Sequence, residues 1–141
     1  MDYLKLAQDL IRTDLEYCRK SVFRQIVNMT KGELLALGYL AEHGDGVHPG
    51  SMSRDMFIST ARVAALLNGL EKKGMICRKD DPEDDRQIYV QLTEKGKNYL
   101  EGRMSVLLDD TAKLLGAVGE RDAEEYLRIR KKMLAAVSHS E

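Results

Sequence analysis

The spacing of apolar side chains between residues 30 and 92 changes from a helical to an alternating pattern, and this change constrains the fold most. In the first part, apolar residues recur every three or four positions and turn-formers interrupt them, which predicts a series of short helices. Further on, Ile88, Val90 and Leu92 alternate with polar residues, which predicts a β-strand. Two consecutive short helices followed by a β-hairpin are the element order of a winged helix-turn-helix.

Helix start and stop signals set the predicted bounds of these elements. Thr30 and Glu33 match the capping box at the start of a helix. Ser59 fits the N-cap of a later helix that stops at Gly74. The predicted elements are a helix that ends before residues 43–46, a short helix over 49–56 with Pro49 first and Met52 and Met56 inward, a helix over 60–74, and strands over 75–78 and 87–92.

Longer helices are predicted on both sides of this segment. The N-terminal helix carries two neighbouring apolar stripes, so it needs more than one partner, and a second subunit is a candidate. The stripes are Leu4, Ala7, Ile11, Leu15, Cys18, Val22 and Ile26, and Tyr3, Leu6, Leu10 and Tyr17. Two further helices follow the hairpin, over 93–118 and 121–137. The predicted fold class is therefore mainly α, with six helices and a small β-hairpin.

The charge of the chain is unevenly distributed although its formal net value is only −1. From residue 47 to residue 79 there are six basic side chains against two acidic ones. From residue 80 to residue 86 there are five acids and one base. The basic segment is a candidate surface for a polyanion, and the acidic run hides it from the overall sum.

Several other classes of protein are excluded or left without support. No apolar run approaches the roughly 20 residues of a membrane span, and charges interrupt the first twenty residues, so no signal peptide is expected. We therefore predict a cytoplasmic protein. The acidic run does not fit a calcium loop, which needs glycine where Arg86 stands, and no nucleophile or base accompanies it for catalysis.

The predicted helix over 60–74 has an outward face suited to DNA. Opposite its leucines the side chains are small apart from one arginine, so the helix could descend deep into a major groove. Arginine can bond guanine, asparagine can pair with adenine, and alanine or threonine methyls can touch a thymine methyl. A surface helix of good helix formers is the alternative. This face comprises Thr60, Ala61, Arg62, Ala64, Ala65 and Asn68.

Residues 70–100, LEKKGMICRKDDPEDDRQIYVQLTEKGKNYL, resemble the wing of the MarR family of bacterial transcriptional regulators. The family pattern is a Leu-Glu helix end, a glycine, a strand, Asp-Pro-x-Asp-x-Arg, a second strand and Leu-Thr-x-x-Gly. Its matching positions are Leu70, Glu71, Gly74, Asp81, Pro82, Asp84, Arg86, Val90, Leu92, Thr93 and Gly96.

The resemblance implies a homodimeric repressor that binds a pseudo-palindromic double-stranded DNA operator. It makes the chain one domain over 1–141, with a DNA-binding lobe over 30–92 and dimerisation helices over 1–28 and 93–141. Arg86 would enter the minor groove at the wing tip, and Asp84 would orient arginines by paired hydrogen bonds. Residues 59–65, which include Ser59, and Asn68 would face the major groove. The candidate phosphate contacts are Arg54, Lys72, Lys73, Arg78 and Lys79.

The family resemblance leaves the sensing mechanism open. It implies no cofactor; a small aromatic effector is favoured over a metal near His43 and His48, with Glu42 and Asp45, or over oxidation of Cys18. Cys18 and Cys77 are otherwise expected to be buried, reduced thiols.

The chain departs from the family pattern at several positions on the predicted DNA-binding surface. Asp85 and Gly69 stand where bases are frequent, Ala64 and Ala65 where a base or threonine is frequent, and Phe57 where a turn glycine is frequent. Fewer cationic contacts predict a shallower salt dependence of binding. A winged-helix module that binds protein instead of DNA is the alternative function.

Overall fold

The computed structural model describes residues 1–20, 32–44 and 46–138. The chain divides into two compact units, Met1–Met104 and Ser105–Glu141. The predicted division into lobes over 30–92 and its flanks stays a prediction. The described elements are α1 (Tyr3–Arg19), α2 (Glu33–His43), α3 (Pro49–Asp55), α4 (Thr60–Lys72), β1 (Ile76–Asp80), β2 (Ile88–Leu92), α5 (Glu94–Val118) and α6 (Glu120–Ser138). The predicted fold class, mainly helical with one β-hairpin, is confirmed.

Two of the predicted helix starts are confirmed and one is not. Pro49 occupies the first turn of α3, where its fixed φ and missing N–H cost nothing. The hydroxyl of Ser59 accepts the backbone N–H of Arg62 at 3.1 Å and so caps α4. The capping box is different: Thr30 lies outside the described residues, and α2 begins at Glu33 without a side-chain cap.

The hydrophobic core of the first unit joins α2, α3, α4 and the hairpin. Met52 is completely buried and Met56 packs against the core, as their spacing predicts. Val47 forms an antiparallel bridge with Val90, through N–H···O bonds of 3.1 and 2.8 Å, and so ties the segment before α3 to β2. The buried apolar residues are Ala36, Leu37, Leu40, Val47, Met52, Val63, Leu66, Leu67, Leu70, Met75, Ile76 and Val90.

The hairpin pairs β1 with β2 in antiparallel register, from Ile76 opposite Leu92 to Asp80 opposite Ile88. Strand β1 starts one residue later than predicted and continues two residues further, to Asp80. Strand β2 starts one residue later than predicted and ends at Leu92, as predicted. The alternation of β2 is only partly used for burial, because Val90 is buried whereas Ile88 is exposed. The outer half of the hairpin therefore projects from the core as a wing.

The end of the Glu33 side chain, from the start of α2, lies close to Gly69 of α4. A Cβ atom at this position would lie 3.0 Å from Oε1 of Glu33. The other carboxylate oxygen, Oε2, accepts a hydrogen bond from Nζ of Lys73 at 2.6 Å. This bond raises the pKa of Lys73 above its usual value. The missing Cβ at Gly69 leaves room for the Glu33 carboxylate, which links α2 to the end of α4 through Lys73.

A second polar contact fixes α3 against α2. The phenol of Tyr39 donates a hydrogen bond of 2.7 Å to Oδ2 of Asp55, and its ring stacks on His43 with centroids 3.9 Å apart. Burial and this hydrogen bond raise the pKa of Tyr39 to about 12. The same bond is the main cause that lowers the pKa of Asp55. Tyr39 therefore positions the last turn of the helix that precedes α4.

We expect Tyr39→Phe to destabilise the fold near neutral pH but not in strong acid. Because the pKa of Asp55 is lowered on folding, its stabilisation is present above the unfolded-state pKa of about 3.9 and is lost as the pH falls through the folded value. Chemical unfolding of both proteins at about pH 6 and pH 2 measures this. A difference in unfolding free energy that stays the same at both pH values would contradict it.

The outer helices carry large exposed apolar side chains. On α1 they form the predicted stripes, although Val22 and Ile26 lie outside the described residues and the side chain of Cys18 is not described. Within the described part of the chain, no helix is long and apolar enough to cross a membrane. Exposed apolar residues on these helices are Tyr3, Leu4, Leu6, Leu10, Ile11, Leu15 and Tyr17 on α1, and Tyr126, Leu127, Ile129, Met133, Leu134 and Val137 on α6.

Candidate nucleic-acid interface

The exposed face of α4 has the composition that its sequence predicts. Val63, Leu66, Leu67 and Leu70 are buried. The opposite side of the helix is exposed, and its side chains are short apart from Arg62 and Asn68. Such a face can approach base edges closely. The predicted residues on this face, all exposed, are Ser59, Thr60, Ala61, Arg62, Ala64, Ala65 and Asn68.

Arg78 connects this face to the wing. Its Nη2 donates a hydrogen bond of 2.7 Å to Oδ1 of Asn68, and its Nε lies 3.4 Å from Oε2 of Glu71. Since arginine has only donors, the oxygen of the Asn68 amide must face Arg78. With its oxygen bonded to Arg78, the amide has its NH₂ group to donate to an acceptor on a base edge, and the adenine contact of Asn68 stays a prediction. Arg78 is a half-buried link between β1 and α4, and its phosphate contact stays a prediction.

The remaining predicted phosphate contacts differ in how they are held. Lys72 and Lys79 are exposed at the end of α4 and on β1. Arg54 is exposed as well, and its Nε lies 3.4 Å from Asp55 of the same helix. Lys73, at the C-terminal end of α4, donates a hydrogen bond to Glu33 of α2. The basic segment thus supplies cations beside both ends of the α4 face, and the ion pairs orient two of them.

The wing tip is shaped by two of the acids that its sequence concentrates there. Oδ1 of Asp84 accepts the backbone N–H of Arg86 at 3.0 Å, and its Oδ2 accepts the Gln87 side-chain amide at 3.2 Å. Oδ1 of Asp81 accepts the backbone N–H of Glu83 at 2.9 Å. These are Asx-type turns, in which a side chain stands in for a backbone carbonyl. Arg86 is left exposed at the tip.

The predicted role of Asp84 therefore needs a correction. Its carboxylate does not pair with an arginine guanidinium; it holds the backbone of Arg86. The reason is local: Gln87 N–H bonds the Asp84 carbonyl at 2.9 Å, and this tight turn brings the next N–H groups within reach of the carboxylate. Asp84 positions the wing-tip arginine through the main chain.

We expect Asp84→Ala to weaken DNA binding about threefold to tenfold, by letting the tip sample other conformations, which adds an ordering cost to binding. The protein should still fold, since the turn is exposed and far from the core. Fluorescence anisotropy with a fixed operator measures this. Asp85→Ala is the matched control: it removes a neighbouring charge without a turn bond and should strengthen binding. Equal effects of the two variants would contradict the positioning role.

A histidine joins the outer end of the hairpin to the start of α3. Nδ1 of His48 lies 3.0 Å from the carbonyl oxygen of Ile88, and its Nε2 lies 3.3 Å from Oδ2 of Asp81. The Asp81 side chain is only 18% exposed. From the sequence, His48 is only a candidate metal ligand, because no neighbouring residue indicates that it faces the wing. Its structural contact depends on the Val47–Val90 bridge.

The other sensing candidates are separated in the structure. Nδ1 of His43 bonds the Tyr39 carbonyl at 2.8 Å, away from the partners of His48. Over residues 1–20, 32–44 and 46–138 no cluster of three metal-ligating side chains occurs; Asp45 and His139 lie outside these ranges. Cys77 is free and half-buried instead of fully buried.

Three elements define the protein as a winged helix-turn-helix protein. They are α4 with its exposed face of small side chains, α3 before it, and the hairpin that exposes Arg86. Comparison with known families places it further. Residues 20–103 match the family described as Transcriptional regulator SarA/Rot. The chain belongs to this family of transcriptional regulators, and the resemblance to MarR-family proteins is confirmed.

Individual relatives agree with this assignment. The HTH-type transcriptional regulator YdgJ of Bacillus subtilis is 30% identical over 115 residues, which are 82% of this chain and 57% of YdgJ. A MarR family protein from Bacillus stearothermophilus has a similar structure, with a TM-score of 0.76 at 20% identity over 98% of this chain and 99% of that one. A mutant of Staphylococcus aureus MepR bound to an oligodeoxyribonucleotide has a TM-score of 0.58 at 24% identity, covering 97% and 99% of the two chains.

Proposed function

We propose that the protein is a cytoplasmic, homodimeric repressor that binds a pseudo-palindromic operator, with α4 in the major groove and the wing tip in the minor groove. The observation that carries this proposal is the exposed small-residue face of α4, which has Arg62 at its N-terminal end and cations on both sides. A hydrogen bond from Arg78 to Asn68 ties this face to strand β1 of the wing. Such a surface fits a duplex better than a protein partner, because its charged residues surround small ones.

The wing supports the second contact of this proposal. Arg86 is exposed at a tip whose backbone is held by Asp84. Narrow A·T-rich minor grooves concentrate negative potential, so a single positioned arginine binds there well. The acids that surround it reduce the long-range attraction, whereas the short-range contact is preserved. The wing therefore favours selection of A·T-rich flanks over strong non-specific binding.

The outer helices support the homodimer. Seven large apolar side chains of α1 and six of α6 are exposed in the single chain. Faces of this size are unfavourable in water and mark subunit interfaces. A twofold dimer would present two copies of α4, and their separation would match successive turns of the duplex in a pseudo-palindromic site. A small aromatic effector that changes this separation is the regulatory part of the proposal.

Anisotropy titration of the full-length protein against the DNA upstream of its own gene tests this function. Binding should be sequence-specific and should weaken as salt rises from about 50 to 200 mM, because each phosphate contact releases a counterion. Lys72→Ala should reduce the salt slope, whereas Lys113→Ala, which removes a cation from an ion pair on α5, should leave it unchanged. Absence of salt-sensitive binding to any duplex would instead favour the protein-binding alternative.

A further inference from the structure

Phe57 occupies a backbone conformation that an aromatic residue rarely adopts. Its φ is +54°, in the left-handed region, and within the described part of the chain it is the only residue other than glycine with a positive φ. Bulky side chains are disfavoured there because Cβ crowds the following carbonyl. Glycine would satisfy this turn at no steric cost. A phenylalanine at this position needs a compensating contact.

The fold itself does not provide that contact. Phe57 is 84% exposed and is absent from the core. Its neighbours Met56 and Ile58, in contrast, pack against the core. The turn is held without the ring: Ser53 Oγ donates to the Ile58 carbonyl at 2.7 Å, and the Ile58 N–H bonds the Ser53 carbonyl at 3.3 Å. The ring therefore contributes nothing visible to the stability of the described chain.

The position of the turn indicates what the ring could meet. Phe57 lies between α3 and α4, two residues before the Ser59 cap that begins the proposed recognition helix. Arg54 precedes it by one helical turn, and Arg62 follows in the first turn of α4; both are exposed. An exposed apolar ring that lies between two exposed arginines along the chain fits a polyanion that also offers apolar patches. Thymine methyl groups and deoxyribose carbons are the apolar patches of DNA.

We propose that Phe57 is a DNA-contacting residue whose ring packs on the apolar C–H surface of the operator where α4 enters the major groove. This inference rests on the proposed function. The strained backbone is then explained, since left-handed φ aims the ring away from the core, and observed strain of this kind is often kept for function. Phe57 would add affinity and a preference for thymine at one position of each half-site.

The Phe57→Gly variant separates the two roles that the residue could have. It removes the ring and relieves the backbone, so the melting temperature should stay the same or rise by about 2 °C. Operator binding should weaken about tenfold, as expected when a large apolar contact is lost. Phe57→Asn, which also tolerates a left-handed φ, should behave in the same way, whereas Phe57→Leu should retain most of the affinity.

A second arm identifies the DNA surface. Each thymine of the operator is replaced in turn by deoxyuridine, which removes only the methyl group. If the ring packs on a methyl, one replacement should weaken the wild-type protein about threefold to tenfold and leave Phe57→Gly unaffected. If the ring packs on deoxyribose, Phe57→Gly should still bind the operator more weakly than the wild-type protein. In that case each deoxyuridine replacement should affect the two proteins equally. Both results support the contact.

The outcome that overturns the inference is distinct from failure of the proposed function. If the wild-type protein binds an operator and Phe57→Gly binds it equally well, Phe57 makes no DNA contact. If the wild-type protein binds no duplex, the proposed function fails and the inference fails with it. Parallel unfolding curves ensure that a weaker binder is still folded under the conditions of the titration.

Discussion

Replacement of Gly96 by alanine is expected to destabilise the protein by about 3 kcal/mol or more, at the upper end of what overpacking costs. An added Cβ would overlap the backbone carbonyl oxygen of Met75 and would lie 2.9 Å from its carbonyl carbon. Neither neighbour can retreat easily, because the Met75 carbonyl accepts the N–H of Thr93 at 3.1 Å and Thr93 Oγ1 donates to the Gly74 carbonyl at 2.6 Å. The first turn of α5 is thus locked against the end of the α4–β1 connection.

Denaturant unfolding measures this effect, and the chain offers a matched control on the same helix. Gly102 has no atom within 4 Å of an added Cβ. Gly102→Ala should therefore stabilise α5 by up to about 1 kcal/mol, through helix propensity and a less flexible unfolded chain. Similar unfolding midpoints for the Gly96→Ala and wild-type proteins would show that the close approach at Met75 does not exist in solution.

Arg62→Ala is expected to reduce specific operator binding by about 1–3 kcal/mol, a loss of about fivefold to 150-fold, because a bidentate arginine–guanine contact has this value. Arg62 is exposed in the first turn of α4, and its backbone N–H is fixed by Ser59. The N-terminal residues of a recognition helix are the ones that reach base edges. The loss should therefore depend on the sequence of the DNA.

Competition with non-specific DNA provides the measurement and the control. Arg62→Ala should weaken binding to the operator far more than binding to a random duplex. Lys72→Ala, which removes a cation beside the helix, should weaken both by a similar factor, since phosphate contacts carry no sequence information. If the two variants changed the ratio of specific to non-specific affinity equally, α4 would not be the element that reads bases.

Local signals predicted the helical framework well. Ser59 and Pro49 mark helix starts through interactions within a few residues, and the leucines of α4 face the core because 3.6-residue periodicity requires it. The family resemblance extended this reading to the wing. The fold class could thus be deduced from sequence, because each of these features depends on neighbours along the chain.

Contacts between distant residues could not be predicted. Glu33 and Lys73 are 40 residues apart, as are His48 and Ile88, and no sequence pattern marks either pair. The partner of Asp84 was also mispredicted, because whether its carboxylate meets a guanidinium or a backbone N–H depends on the tightness of the turn.

The wing loop separates the residues that give it shape from the residues that give it charge. Asp81 and Asp84 hold the turn, and neither of their bonds involves Asp85. Substitution at Asp85 can therefore change the electrostatic potential around Arg86 while the path of the backbone is kept. We therefore expect different substitutions at position 85 to raise or lower operator occupancy gradually, while the wing stays folded.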